Sequence, residues 1–303
     1  MPAEAIHLTS LREAAARQRL AAPARRCLVQ EEDAARLGAV LHDLPYFDHY
    51  LEAVVRYAAR IAPRPSSGGG VFHDQAAAPI VFSLLRAARR ERSARLAAVG
   101  LGLASHAAID RQLHPLINSL ARRYADGLSH DAAHREVEKF QSICFHESYF
   151  GGDRMGTPAI GRVVQVPMRE LFADPLVASA VAAAYRESMT SPPGLDALRA
   201  MGRGYEGHTA VIASPLGLLV APAREKERAR PRFLFGAWGT FEDALERAIV
   251  ASVEVLERAW AVFEADDGDT AAELSLSSLL GPGTIDASGD DSLLEAPFTP
   301  RLA

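Results

Sequence analysis

The stretch ASHAAIDRQLHP, residues 104–115, carries His106, Asp110 and His114 at i, i+4 and i+8. Side chains four apart share one face of an α-helix, so His106 and Asp110 can reach a single metal ion together. Over eight residues the phase drifts by about 80°, and His114 therefore suits a neighbouring ion better than the same one. The run AAVGLGLASHAAID is apolar on every side, which predicts burial of His106 and Asp110. A lone His–Asp pair at this spacing is usually a surface hydrogen bond, but a buried carboxylate needs a cation or several donors. The pattern recurs in SHDAAHREVEKFQSICF, where His130, His134 and Glu138 again stand at i, i+4 and i+8. Two facing helices with such stripes can enclose a metal inside a bundle. Cys27 and Cys144 are too few for a disulfide framework or a thiolate site. Nitrogen and carboxylate donors alone favour zinc, with iron, manganese or nickel as substitutes.

In order along the chain, GAVLHDLPYF, FHD, LASHAAIDRQLHPLIN and HREVE resemble the motifs of the zinc-dependent phospholipase C family, which is related in structure to the S1/P1 nucleases. The resemblance covers roughly residues 1–150, and the SHxxxDxxxHP and HxxxE pair is its most specific part. It implies a zinc-dependent phosphodiester hydrolase with two or three Zn2+ ions, acting on a phospholipid or related phosphodiester. His106 and Asp110 match the family's His-x3-Asp pair, whose aspartate bridges two ions. Asp43, in LHDLP, matches an aspartate ligand taken as the catalytic base, and His73 a histidine on the same ion. His114, His134 and Glu138 match the ligand set of a second ion, and His7 a histidine that helps bind a third. Secreted members add an N-terminal tryptophan as ligand, whereas the tryptophans here are Trp238 and Trp260.

The elements that must position these residues read as helical. SLREAAARQRL opens with Ser10 and has Glu13 three residues on, a capping-box pattern. EEDAARLGAVLHD is a helix that stops before Pro45, and FDHYLEAVVRYAARIA a further one ended by PRPSSGGG. The helix carrying His106 is expected to end at Pro115, because the residue before proline is biased away from the helical region. Ser129 is the expected N-cap of the next helix. RELFADPLVASAVAAAYRESM is one helix broken near Pro175 or two short ones. In GTFEDALERAIVASVEVLERAWAVFEA, Thr240 with Asp243 suggests the start, and Leu245, Ile249, Ser252, Leu256, Trp260 and Phe263 form an apolar-facing stripe. No alternating strand pattern stands out, so the expected fold is an all-α multi-helix bundle with the metal between helices. It comprises one domain over residues 1–265 and a flexible, acidic Ser/Gly/Pro-rich tail over 266–303.

Hydrophobic residues make up 49% of the 303, enough for a sizeable core, and the net charge of −5 argues against a general nucleic-acid partner. The N-terminal segment lacks the apolar core of a secretion signal, and no apolar run is long enough to span a bilayer. A cytoplasmic location with possible peripheral membrane contact is the expectation. Two other classes remain open. An HD-domain phosphohydrolase acting on nucleotides would use His42–Asp43 as its dyad, with His7 upstream, Asp110 downstream and His73–Asp74 as a second dyad. A non-enzymatic helical module could retain a vestigial site. His130, at a helix start, is poised between ligand and surface residue. His49, His146 and His208 read as satisfied core or surface histidines, and Tyr46, Phe47, Tyr50 and Phe72 as core packing.

Overall fold

A computed structural model describes residues 4–59, 77–124, 127–152, 155–220, 222–235, 238–266 and 269–281. His73 and the FHD segment lie outside them. The described residues fold as a multi-helix bundle without strands. In chain order the helices are α1 (Glu4–Ala16), α2 (Ala22–Gln30), α3 (Glu32–Leu41), α4 (Tyr50–Ala58), α5 (Ala78–Arg90), α6 (Ala94–Arg123) and α7 (His130–Tyr149). There follow α8 (Pro158–Val164), α9 (Met168–Ala173), α10 (Pro175–Ser188), α11 (Leu195–Ile212), α12 (Gly217–Val220), α13 (Ala223–Arg230), α14 (Trp238–Glu264) and α15 (Thr270–Leu280). A 3-10 turn at Leu44–Phe47 joins α3 to α4, and a π turn at Pro231–Phe235 follows α13. No described helix is long and apolar enough to cross a membrane.

The bundle is built around α6, roughly 45 Å long at the usual helical rise. It packs against α3, α5, α7 and α14. Ser93 caps it by accepting from the Leu96 N–H at 3.2 Å. Alanines and glycines let its neighbours approach. A Cβ built at Gly38 would sit inside the van der Waals shell of the Val99 carbonyl oxygen, and one at Gly102 inside that of Ala35. The α3 and α6 backbones therefore touch directly at these two glycines, with no side chain between them. On the opposite flank, Ser105 meets Ser252 of α14 at 2.7 Å, which satisfies both hydroxyls inside the core.

Several local expectations hold. Ser129 caps α7 by accepting from Ala132 N–H. The segment around Pro175 is two helices, with Asp174 accepting from Leu176 N–H at 2.9 Å and Pro175 opening the second. Others do not. Ser10 is no cap: α1 already begins at Glu4, so Ser10 lies mid-helix and buried. The apolar residues Ala5, Ile6, Leu8 and Leu11 pack into the core, and this burial outweighs the local capping preference. Nor does α6 end at Pro115; it continues to Arg123. Proline within a helix costs about 3 kcal/mol, and burial of Leu116, Ile117, Leu120 and Ala121 offsets that. Helix α14 starts at Trp238, before Thr240. The acidic tail is also partly ordered: Asp269 caps α15, Leu276 and Leu280 enter the core, and Glu273 pairs with Arg86 at 2.6 Å.

Candidate metal centre

Four segments bring the site together. Helix α1 supplies His7, the residues just after α3 supply Asp43, α6 supplies Asp110 with its flanking histidines, and α7 supplies His134 and Glu138. The α6 stripe runs His106, Asp110, His114, Asn118, one residue per turn and all buried. His106, fully buried, points Nδ1 at the Ala39 carbonyl at 2.7 Å. That contact exists because Gly38 and Gly102 let α3 close onto α6. Its ring stacks on His7, centroids 3.8 Å apart and 13° between planes. Both Nε2 atoms then face Asp110: His7 at 3.2 Å from Oδ1 and His106 at 2.9 Å from Oδ2.

On the other side, His114 Nε2 stands 3.5 Å from Asp110 Oδ1 and 3.4 Å from Glu138 Oε1, while His134 Nε2 is 3.2 Å from Glu138 Oε1. Asp110 thus lies between two groups. His7, Asp43 and His106 could hold one metal ion, and His114, His134 and Glu138 a second; within each group the ligand atoms lie within 4.8 Å of one another. Zinc bonds of 2.0–2.1 Å in a tetrahedron separate ligand atoms by about 3.3 Å, close to the spacing of the carboxylate and imidazole atoms here. Asp43, His134 and Glu138 are half-buried, and they form the solvent side of a cluster whose other members are sealed in.

The hydrogen bonds fix which ring nitrogen faces inward. The Ala39 carbonyl can only accept, so His106 Nδ1 carries a proton and Nε2 is the nitrogen turned to the carboxylate. Neither His106 Nε2 nor Asp110 Oδ2 makes a hydrogen bond of acceptable geometry, although both are buried and 2.9 Å apart. Two acceptors this close inside a protein need a cation between them, whether a proton or a metal. His134 repeats the arrangement, with Nδ1 2.7 Å from the Asn118 side-chain oxygen and Nε2 turned to Glu138. Such outer partners orient metal-ligating histidines.

The electrostatics follow the same logic. Burial opposes a charged His106, yet the adjacent Asp110 carboxylate prevails and pushes its pKa up to about 9. Burial likewise favours a neutral Asp110, but His106, His7 and His114 hold its carboxyl well below the usual range. Burial works against ionised Glu138 too, and the hydrogen bonds from His114 and His134 outweigh it.

Of the eight residues singled out by sequence, the structure brings together the seven that it describes. His7 groups with Asp43 and His106 and also lies 3.2 Å from Asp110. His130 is exposed and lies outside both groups. His42 is buried beside His106, ring centroids 5.2 Å apart. His208 is a satisfied core histidine, bonded to Glu4 at 2.7 Å and Tyr50 at 3.2 Å. Asn118 was missed although its spacing continues the stripe, because the helix was expected to stop at Pro115. The Ala39 carbonyl, a backbone group, leaves no side-chain signal at all.

The fold and the cluster together define an all-α protein with two adjoining His/carboxylate groups bridged by a buried aspartate. Comparison with family models, curated proteins and solved structures returned no match.

Proposed function

We propose that this chain is a zinc-dependent phosphodiester hydrolase of the phospholipase C type, acting in the cytoplasm on a phospholipid or related phosphodiester. The observation that carries it is Asp110 standing between two three-residue groups, each able to hold a cation, with the half-buried carboxylate of Asp43 on the solvent side of the first. Zinc bound there would supply a Lewis acid for the phosphoryl oxygens and lower the pKa of a coordinated water.

The chain's own residues divide the remaining work. Asp110 is sealed among three imidazoles, so its charge serves to fix the spacing of the two groups. Asp43 follows α3 at the start of the 3-10 turn and faces the side from which substrate arrives. It holds the attacking water and accepts its proton. Ala39 and Asn118 keep His106 and His134 in the tautomer that leaves Nε2 free for a ligand role. Arg111, next to Asp110 in sequence, is turned away, its guanidinium lying against Gly281. The leaving alkoxide therefore takes its proton from water.

An HD-type site would take His42 with Asp43 as its dyad and would leave His114, His134 and Glu138 without a role. Metal analysis of protein purified without chelator, paired with turnover on phosphatidylcholine vesicles and a panel of soluble phosphodiesters, tests the proposal. The expected outcome is two zinc ions per chain and metal-dependent hydrolysis. One or two manganese or iron ions with nucleotide phosphatase activity would favour the HD class, and a metal-free protein would mark a vestigial site in a helical module.

A further inference from the structure

Helix α11 belongs to the half of the chain that no motif explains, yet it carries a buried polar chain directed at the metal centre's supports. His208 Nε2 lies 2.7 Å from Glu4 Oε1, and its Nδ1 lies 3.2 Å from the Tyr50 hydroxyl. All three residues are buried. A carboxylate can only accept, so Nε2 carries a proton, and in the neutral ring Nδ1 accepts from Tyr50. Burying an imidazole and a carboxylate carries a large desolvation cost, and apolar residues of similar volume would commonly serve stability as well. Stability alone is therefore a weak reason for this chain to exist, and what its ends hold supplies a better one.

Glu4 stands one turn before His7 on α1, and Tyr50 opens α4 directly after the turn that begins at Asp43. The same helix presses on that turn with its backbone: a Cβ at Gly204 would collide with the Phe47 carbonyl oxygen. Tyr205 packs edge-on against Phe47, centroids 5.0 Å apart, and donates to the Val164 carbonyl at 2.6 Å. Phe47 also contacts the His208 ring at 5.2 Å. Helix α11 thus grips, from one side, the two segments that deliver His7 and Asp43. Its packing is chiefly against that turn, α4, α8, α9 and α10, and among the described residues it makes no comparable packing with α6 or α7, which carry His114, His134 and Glu138.

We infer that His208 is a positioning residue: through Glu4 and Tyr50 it sets the distance between His7 and Asp43, and so the geometry of the first metal group alone. This rests on the metal-centre proposal above. It predicts a selective effect that general loss of stability would not produce.

The test is a zinc titration of the full chain, after metal removal, against a chromogenic chelator, with His134→Ala identifying which of the two steps belongs to the second group. His208→Ala should weaken the first group's affinity by about 10-fold or more, the range found when outer-sphere partners of metal ligands are removed, and leave the second within about 2-fold. His208→Gln, which retains a donor and an acceptor, should restore most of the loss. Tyr50→Phe keeps the ring against Phe47 and should give the same selective loss if His208→Ala does not fold. Two zinc ions bound by wild type with both affinities unchanged in the variants, or weakened equally, would overturn the inference alone. A wild-type chain that binds no zinc would overturn the metal-centre proposal and this inference with it.

Discussion

Raising the pH should destabilise the metal-free protein and leave the zinc-loaded protein nearly unchanged, and His106 is the reason. With Nδ1 committed to the Ala39 carbonyl, Nε2 needs a cation to face Asp110 at 2.9 Å. Without metal that cation is a proton. The folded-state pKa of about 9 lies above the unfolded value of roughly 6.5. The stabilisation it represents is therefore complete below about pH 6.5 and disappears as pH rises through 9. A difference of that size is worth about 3 kcal/mol, or on the order of 5 °C in the melting temperature of a chain this long. Zinc must displace the same proton. At pH 7 about 99% of His106 would be protonated, so apparent affinity would stand about 50-fold below its value at pH 9, tightening nearly tenfold from pH 7 to 8 and less beyond. At fixed excess zinc the tighter binding contributes about 2 to 3 kcal/mol over those two units, which offsets the loss in the metal-free fold, so the zinc-loaded melting temperature should stay nearly level. Differential scanning calorimetry from pH 6.5 to 9 should show a falling melting temperature with chelator and a nearly level one with zinc. Titration calorimetry in buffers of differing ionisation enthalpy should count at least one proton released per chain at pH 7. A metal-free melting temperature that is flat or rises over this range, or zinc uptake without proton release, would refute the reasoning. At the acid end the sign reverses: Asp110 and Glu138 have depressed pKa values, so their contribution is present above about pH 4 and is lost as pH falls further.

Asn118→Ala removes the acceptor that orients His134, and zinc affinity of the second group should fall by about 10- to 100-fold with the circular dichroism spectrum unchanged, as competitive chelator titration would show. Gly38→Ala drives a Cβ into the Val99 carbonyl and should cost about 3 kcal/mol or more in urea unfolding, because backbone rather than a flexible side chain must move. Asp43→Asn should retain the fold and most of the zinc while turnover drops by at least about 10²-fold; steady-state rates at matched metal content measure it, and wild-type turnover would exclude Asp43 as the base.

Side-chain types repeated at helical spacing were the legible part of the site. His106 and Asp110, or His134 and Glu138, declare a shared face through i, i+4 alone, and an Ala/Leu-rich context declares its burial. Asp43 and His7 were legible only through resemblance, because nothing in LHDLP or AIHLTSL says which distant helix it will meet. Asn118 was hidden by Pro115, where a sound local rule lost to the burial of four apolar residues on the next two turns. The start of α1 was misplaced for the same kind of reason: tertiary burial decided the helix end, and a Ser–Glu pair fell by chance at capping distance. The α3–α6 contact could have been suspected from Gly38 and Gly102, but small residues in a helix do not name their partner. His208 reads from sequence as a satisfied core or surface histidine, and it lies in the core with both ring nitrogens bonded; what sequence does not supply is that its partners sit beside His7 and after Asp43.

Helix α6 cannot be the centre of the core and the carrier of an ionised carboxylate unless the bundle supplies compensating charge at that level. Asp110 is buried, so its charge has no exit to solvent, and the groups that answer it come from α1 and from α6 itself. The nearer of these, His106, is held in orientation by α3 through Ala39, and His7 sits on a helix whose first turn is tied to α11. The cluster therefore depends on elements spread from Glu4 to His208. Each of them loses a polar partner if the others shift. That mutual dependence explains why so much of a 303-residue chain is committed to placing seven side chains: a site built at the axis of a helical bundle is positioned by the whole bundle, and the imidazoles gathered around Asp110 are in turn what allow its carboxylate to stay buried there.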